Sequence, residues 1–251
     1  MRHFLIVTLA IALASPLSAG LIWSEDFEGG MGGVDGTFLS SGYNDPDALP
    51  STPGATDYWY IGDSSDLELY GGGGGSTGPT TTPGNNFLGG RDMDELWGAG
   101  GTVAPGAIVF PNGAHTSTIN VSGFPSLTFS MDVAATNGGS RWENPPDGIW
   151  LSYNLDGGGL VLLDSFLANG SGNLVSTLYG TEVQSTLSAF TYTVPAGSIL
   201  SLQIEAHNTF TDENFIIDNL QLYGVPEPST YLLMGLGLTA LALLRRRRSA
   251  G

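Results

Sequence analysis

From Leu21 to Tyr223 the apolar residues recur with a period of two. In Leu127-Thr128-Phe129-Ser130-Met131-Asp132-Val133 apolar and polar positions alternate strictly, and they do so again from Leu200 to His207. Alternation of this kind marks strands with one dry and one wet face. The same reading predicts strands at Leu21–Phe27, Tyr58–Ile61, Ala107–Phe110, Ile149–Tyr153, Leu160–Leu163, Phe190–Val194 and Phe215–Tyr223. Clusters of Gly, Pro, Asn and Asp separate them, and no amphipathic helix of any length interrupts them. One-sided sheets must bury their apolar faces against each other, so the chain predicts an all-β fold, a jelly-roll-like β-sandwich. About 200 residues can bury roughly 70 % of their unfolded surface, enough for one domain. Tyr70 to Asn86, with Gly71 to Gly75 in a row, is too poor in apolar residues to join a core and reads as a surface loop. There is no internal repeat and no second domain.

Both ends break this pattern. Met1-Arg2-His3, the apolar run Phe4 to Leu13 and the small residues up to Gly20 have the layout of a secretory signal peptide, expected as a short helix over residues 1–20. At the other end, residues 225–251 hold Pro226-Glu227-Pro228, an apolar stretch from Tyr231 to Leu244, and Arg245, Arg246, Arg247 and Arg248. As a helix the apolar stretch spans about 21 Å against a hydrocarbon core of ~30 Å, so it crosses only with help from its flanks. The four Arg hold the tail in the cytoplasm, and the body between the ends, residues 21–224, faces outward. Pro226-Glu227-Pro228, one short helix and a basic tail, in that order, resemble the PEP-CTERM sorting signal. The resemblance implies a Gram-negative bacterium, an exosortase as partner, transient membrane residence before processing near Pro226-Glu227-Pro228, and a link to exopolysaccharide and biofilm.

Charge sharpens the picture of the body. The 251 residues include no Cys and no Lys, and the formal net charge is -17. Between Gly20 and Val225 lie 23 of the 24 acids and only two bases, Arg91 and Arg141, for a net charge of 2 − 23 = -21. Such a body repels phosphate backbones, which excludes nucleic-acid binding, and attracts divalent cations. Without Cys there is no disulfide framework and no thiolate chemistry. In the last strand the period of two puts Asp218 on one face with Ile216, Leu220 and Leu222. If that face is the core, an unpaired carboxylate is buried at a cost. A hard cation with oxygen ligands would relieve it, and Ca²⁺ prefers such ligands. First and last strands are often neighbours in sandwiches, so Asp26, Glu28 and Asp218 are the candidate metal ligands. The other reading has Asp218 satisfied by hydrogen bonds or placed at a wet strand end.

The opening Glu25-Asp26-Phe27-Glu28-Gly29 and the closing Phe215 to Leu222 also resemble bacterial jelly rolls of the choice-of-anchor and cleaved-adhesin type. These are similar to MAM domains and to some carbohydrate-binding modules. The resemblance implies Ca²⁺ at strand termini, although the Cys pairs of such domains are missing here. The remaining acidic groups, Asp45 with Asp47, Asp63 with Asp66 and Glu68, and Asp92 with Asp94 and Glu95, lack the spacing of an EF-hand and read as solvated loops.

Exposed aromatic rings stack on sugars. Trp142 lies in the loop-like segment Asn137 to Pro146 and is the candidate carbohydrate-binding residue, with burial in the core as its alternative; Trp59 and Trp150 are expected in the core. No catalytic residue is assigned. Gly74-Gly75-Ser76-Thr77-Gly78 matches G-x-S-x-G only through its composition, and His115 and His207 are too isolated for a triad or a zinc site. The sequence thus points to an exported, non-enzymatic surface or matrix protein with a role in adhesion or exopolysaccharide association. The alternative is a polysaccharide-active hydrolase or lyase that uses acids in a jelly-roll groove.

Overall fold

The computed structural model describes residues 18–28, 37–38, 58–62, 78–80, 86–91, 106–110, 118–137, 142–143, 147–208, 213–227 and 237. Residues 1–17 of the expected signal helix, the apolar stretch apart from Gly237, the four Arg, the glycine tract and Asp45, Asp63, Asp92 and His115 lie outside these residues, and Gly20, expected at the end of the signal, opens the first strand. No described helix is long and apolar enough to cross a membrane.

The strands are β1 (Gly20–Glu25), β2 (Thr37–Phe38), β3 (Tyr58–Gly62), β4 (Phe87–Arg91), β5 (Gly106–Phe110), β6 (Ile119–Asn120), β7 (Ser126–Ala135), β8 (Gly148–Leu155), β9 (Leu160–Ala168), β10 (Leu174–Ser176), β11 (Ser188–Val194), β12 (Ile199–His207) and β13 (Asn214–Val225). The described strands form two antiparallel sheets. A six-stranded sheet runs β11-β7-β13-β4-β3, with β1 also on β13. A seven-stranded sheet runs β10-β9-β8-β12-β5-β2, with β6 on the start of β12.

The inner faces supply the core. Leu127, Phe129, Met131 and Val133 of β7 and Phe190, Tyr192 and Val194 of β11 are buried in one cluster with Ile149, Leu151 and Tyr153 of β8 and Leu200, Leu202 and Ile204 of β12. Full burial of such side chains contributes about 1.5–3 kcal/mol each. The alternation seen in the sequence is the physical origin of this two-layer packing.

β13, the longest of the described strands, pairs with β7 on one side. On the other it takes β4 along Asn214 to Ile217 and β1 along Leu220 to Gly224. First and last strands are therefore neighbours, as expected. The pairing with β7 slips between Asp218 and Gln221, and Asn219 there adopts a positive φ of 51°. This bulge shifts the phase of the strand by one residue. Before it Phe215 and Ile217 belong to the main core; after it Leu220 and Leu222 do. Ile216 packs instead in a separate small cluster with Phe87 and Ala134.

That shift corrects the expected face of Asp218. It does not share the core face with Leu220 and Leu222 but follows Ile216 to the other side of the sheet. The period-of-two count fails there because one extra residue sits in the strand.

Candidate functional site

The bulge gathers carboxylates. Asp218 stands directly opposite Asp132 of β7 in the ladder. β1 ends at Glu25, paired with Leu220, so the segment that follows it runs beside the bulge. In that segment Phe27 takes a positive φ of 58° and is fully buried, while Asp26 and Glu28 remain exposed. The Phe27 N–H donates to Glu25 Oε1 at 2.8 Å, and the Glu28 N–H to Asp26 Oδ1 at 3.2 Å. Glu28 Oε1 accepts from the Asn86 N–H at 3.1 Å, which ties this turn to the start of β4.

Asp218 is 6 % exposed. Its carboxyl accepts from the Asn219 N–H at 2.7 Å, and Asn219 Nδ2 donates to Asp132 Oδ2 at 2.8 Å. Burial pushes the Asp218 carboxyl up to about 7; the Asn219 N–H opposes that shift, and the charges of Asp132, Glu28 and Asp26 add to it. Of the residues predicted as a set, Asp26 and Glu28 thus act electrostatically on Asp218, as does Asp132. Among the described residues no three His, Asp or Glu side chains are gathered tightly enough to hold a metal by themselves. Asp132 was missed in the sequence because its place opposite Asp218 follows only from the pairing register.

A second buried carboxylate has a different environment. Asp164 of β9 is 1 % exposed. Its Oδ1 accepts from the Ser165 N–H at 2.8 Å, the Leu178 N–H at 3.0 Å and Thr177 Oγ1 at 3.2 Å. Its Oδ2 accepts from Ser176 Oγ at 2.6 Å and Tyr192 Oη at 3.2 Å. Burial, and then the negative charge and hydrogen bond of Asp164, hold the Tyr192 hydroxyl firmly in its neutral form. Asp164 therefore joins the seven-stranded sheet to the six-stranded one and fixes the turn after β10.

That turn borders a cleft of about 490 Å³ at the side of the sandwich, lined by Tyr153, Val161, Leu162, Leu163, Leu178, Tyr179, Thr191, Tyr192, Thr193 and Pro195. The Tyr179 hydroxyl donates to the Thr191 carbonyl oxygen, and its ring lies 5.9 Å from that of Tyr192.

Two aromatic expectations change. Trp142 is 2 % exposed, part of the main core, and its indole N–H donates to the Thr136 carbonyl at 2.8 Å. Its ring is inside the protein, where no sugar can stack on it; the core alternative holds. Trp150 is half-buried and not a core residue, and the side chain of Trp59 is outside the described set. His207 ends β12, buried, with Nδ1 3.6 Å from Asp147 Oδ1. Asp147 Oδ2 accepts from the Glu143 N–H at 2.6 Å.

At the far end of β13, Val225 still pairs with Ser126, and the Glu227 N–H donates to the Gly123 carbonyl at 2.9 Å. Residues 224–248 match the model described as the PEP-CTERM protein-sorting motif. This segment is a PEP-CTERM sorting signal. It marks an exported, surface-sorted protein, and it includes Pro226, Glu227, Pro228 and all four terminal Arg. The PEP-CTERM segment starts inside the last strand, with no linker between sandwich and signal.

No curated protein matches the chain. Among solved structures, the K1 cleaved adhesin domain of Lys-gingipain from Porphyromonas gingivalis W83 is similar at 15 % identity and a TM-score of 0.41, covering 81 % of this chain and 98 % of that one. The C-terminal family 22 carbohydrate-binding module of Clostridium thermocellum Xyn10B is similar at 13 % identity and a TM-score of 0.38, covering 82 % and 94 %.

Proposed function

We propose that this chain is a non-enzymatic component of the cell surface or extracellular matrix, a jelly-roll-like sandwich delivered by an exosortase and engaged in adhesion or exopolysaccharide association. The observation that carries the reading is the PEP-CTERM segment continuous with β13. A signal joined directly to a folded strand delivers that sandwich as a unit, and the sandwich is then the working part. The signal peptide exports it, the apolar stretch Tyr231 to Leu244 spans the membrane as a helix before processing, and Arg245 to Arg248 keep the tail inside. The source is a Gram-negative bacterium.

Replacing Pro226, Glu227 and Pro228 with Ala in the full chain tests this. The variant should stay membrane-bound at precursor length while the unmodified chain reaches the surface shortened. Equal processing of both would refute the reading. Retention of the delivered protein on immobilised exopolysaccharide from the producing cells tests the second half, and free elution would count against it.

Ca²⁺ belongs to the same proposal, held by Asp26, Glu28 and Asp218 at the junction of first and last strands. The donor chemistry supports this reading: the donors are all oxygen, and Asp218 is a buried carboxylate acted on by like charges, which a hard cation would offset. Main-chain carbonyls and water would complete the coordination, because the described carboxylates alone do not.

A further inference from the structure

β9 is covered on its outer side only in its second half. β10 pairs with Phe166, Leu167 and Ala168, and the Thr177 N–H adds a bond to the Ser165 carbonyl. Residues 160–163 have β8 on one side and no described strand on the other. Leu163 packs against the core, but apolar side chains on both faces of this stretch are exposed. Val161, opposite Tyr153, is 47 % exposed, and Leu160 and Leu162, opposite Asn154 and Ser152, are 52 % and 55 % exposed. Leu178 and Tyr179 border the same edge at 58 % and 49 %. A strand edge with no described partner and exposed apolar side chains on both faces is a template for another strand.

We propose that two copies of this chain meet at the open edge of β9, antiparallel about a two-fold axis. The chemistry of the patch selects the partner. None of Leu160, Val161, Leu162, Leu163, Leu178 and Tyr179 is charged in a body that carries 23 acids and two Arg. A basic partner would be drawn to the acids elsewhere in the body and not to this edge. Two copies, each strongly negative, repel each other over most of their surface and can approach where the surface is neutral. A two-fold contact sets a patch on itself, and a run of Leu and Val needs no other complement. The exposed area of these residues is on the order of 500 Å² per copy, against about 800 Å² per partner in a standard interface. The dimer is therefore weak in dilute solution and depends on crowding of copies at one surface. In that respect the inference rests on the sorted export proposed above. The edge is also preformed, since the Asp164 bonds and the Tyr179–Thr191 bond fix the neighbouring turn, so little is lost in ordering it.

The absence of Cys makes a direct test available. The full chain carrying Leu162→Cys is produced in its exporting host, and intact cells are treated with a short thiol-to-thiol crosslinker. Leu21→Cys, equally exposed but on β1 of the other sheet, is the control. Paired edges lie about 4.8 Å apart, within reach of the reagent. At least a fivefold excess of covalent homodimer from Leu162→Cys over the control is expected, and adding Val161→Lys should abolish it. Equal crosslinking of both variants, no homodimer from Leu162→Cys, or linkage of Leu162→Cys to a different protein overturns the proposal. Failure of export is read separately, as precursor retained inside the cells, and would count against the sorting reading. A purified sample of the same chain carrying Val161→Lys should melt like the unmodified protein, which separates lost pairing from lost folding.

Discussion

Asp164 and Asp218 are both buried carboxylates, one in each sheet, and the protein treats them in opposite ways. Asp164 accepts five hydrogen bonds from three hydroxyls and two backbone N–H groups. Asp218 accepts one from the adjacent backbone and faces the charges of Asp132, Glu28 and Asp26. Burial alone therefore does not indicate function. A buried charge with a full set of donors is part of the framework, because its desolvation is already offset. A buried charge among like charges has its desolvation unrelieved until a proton or cation arrives.

The largest effect should come from removing the satisfied group. Asp164→Ala strips an acceptor from Tyr192, Ser176, Thr177 and the turn at Leu178, and we expect a loss of about 3–5 kcal/mol, since buried donors are left unpaired. For a domain of this size that lowers the melting midpoint by roughly 10 °C or more, measurable by calorimetry. Asp218→Asn should do the reverse in chelator at neutral to alkaline pH. It removes one of four repelling charges and should raise the midpoint by a few degrees, on the order of 1 kcal/mol. A fall in the midpoint would mean that Asp218 is held by contacts of the Asp164 kind.

The pH dependence sharpens the contrast. The folded-state value of Asp218, about 7, lies above its ordinary 3.8, so the folded state binds the proton more tightly than the unfolded one. Its contribution is full below the ordinary value and is lost as pH rises through 7. In chelator, the difference in stability between the unmodified protein and Asp218→Asn should thus be smallest near pH 4 and grow toward pH 8. A flat difference across that range would contradict the shift. The smallest effect concerns Trp142. Trp142→Phe loses the bond to the Thr136 carbonyl and some core volume and should cost about 1–2 kcal/mol, with no change in retention on exopolysaccharide.

Much of the architecture was legible in the sequence because alternation is a local signal. It is strict in the strands now numbered β7 and β12; seven further apolar segments between turn clusters also predict strands, and all nine are present, with β9 running on to Ala168, beyond its expected end at Leu163. β4 was missed because Gly89 and Gly90 carry no side chain to alternate, and β2, β6 and β10 are too short to show a period. β1 ends at Glu25, two residues before the end expected at Phe27, which is apolar and buried like a strand residue although its backbone has already turned. The candidate site was legible only in part. Proximity of Asp26 and Glu28 to Asp218 followed from the neighbouring of first and last strands, but the face of Asp218 depends on one extra residue at Asn219, and no count along the chain reveals a bulge. Trp142 was misplaced for a similar reason: its segment reads as loop, yet the fold turns the ring inward. Asp164 was passed over because it follows an unbroken apolar run, where its five donors, all but one of them distant in sequence, cannot be seen.

The most direct test is the melting midpoint of the exported, processed protein at pH 7.5 with Ca²⁺ and with chelator, for the unmodified chain and for Asp218→Asn. At about 100 times the dissociation constant, bound Ca²⁺ adds ~2.7 kcal/mol, or roughly 5–10 °C. That rise is expected for the unmodified chain and should be absent from Asp218→Asn. Identical midpoints with and without Ca²⁺ in the unmodified chain would contradict the account of Asp218 as a buried carboxylate that, unlike Asp164, depends on a cation.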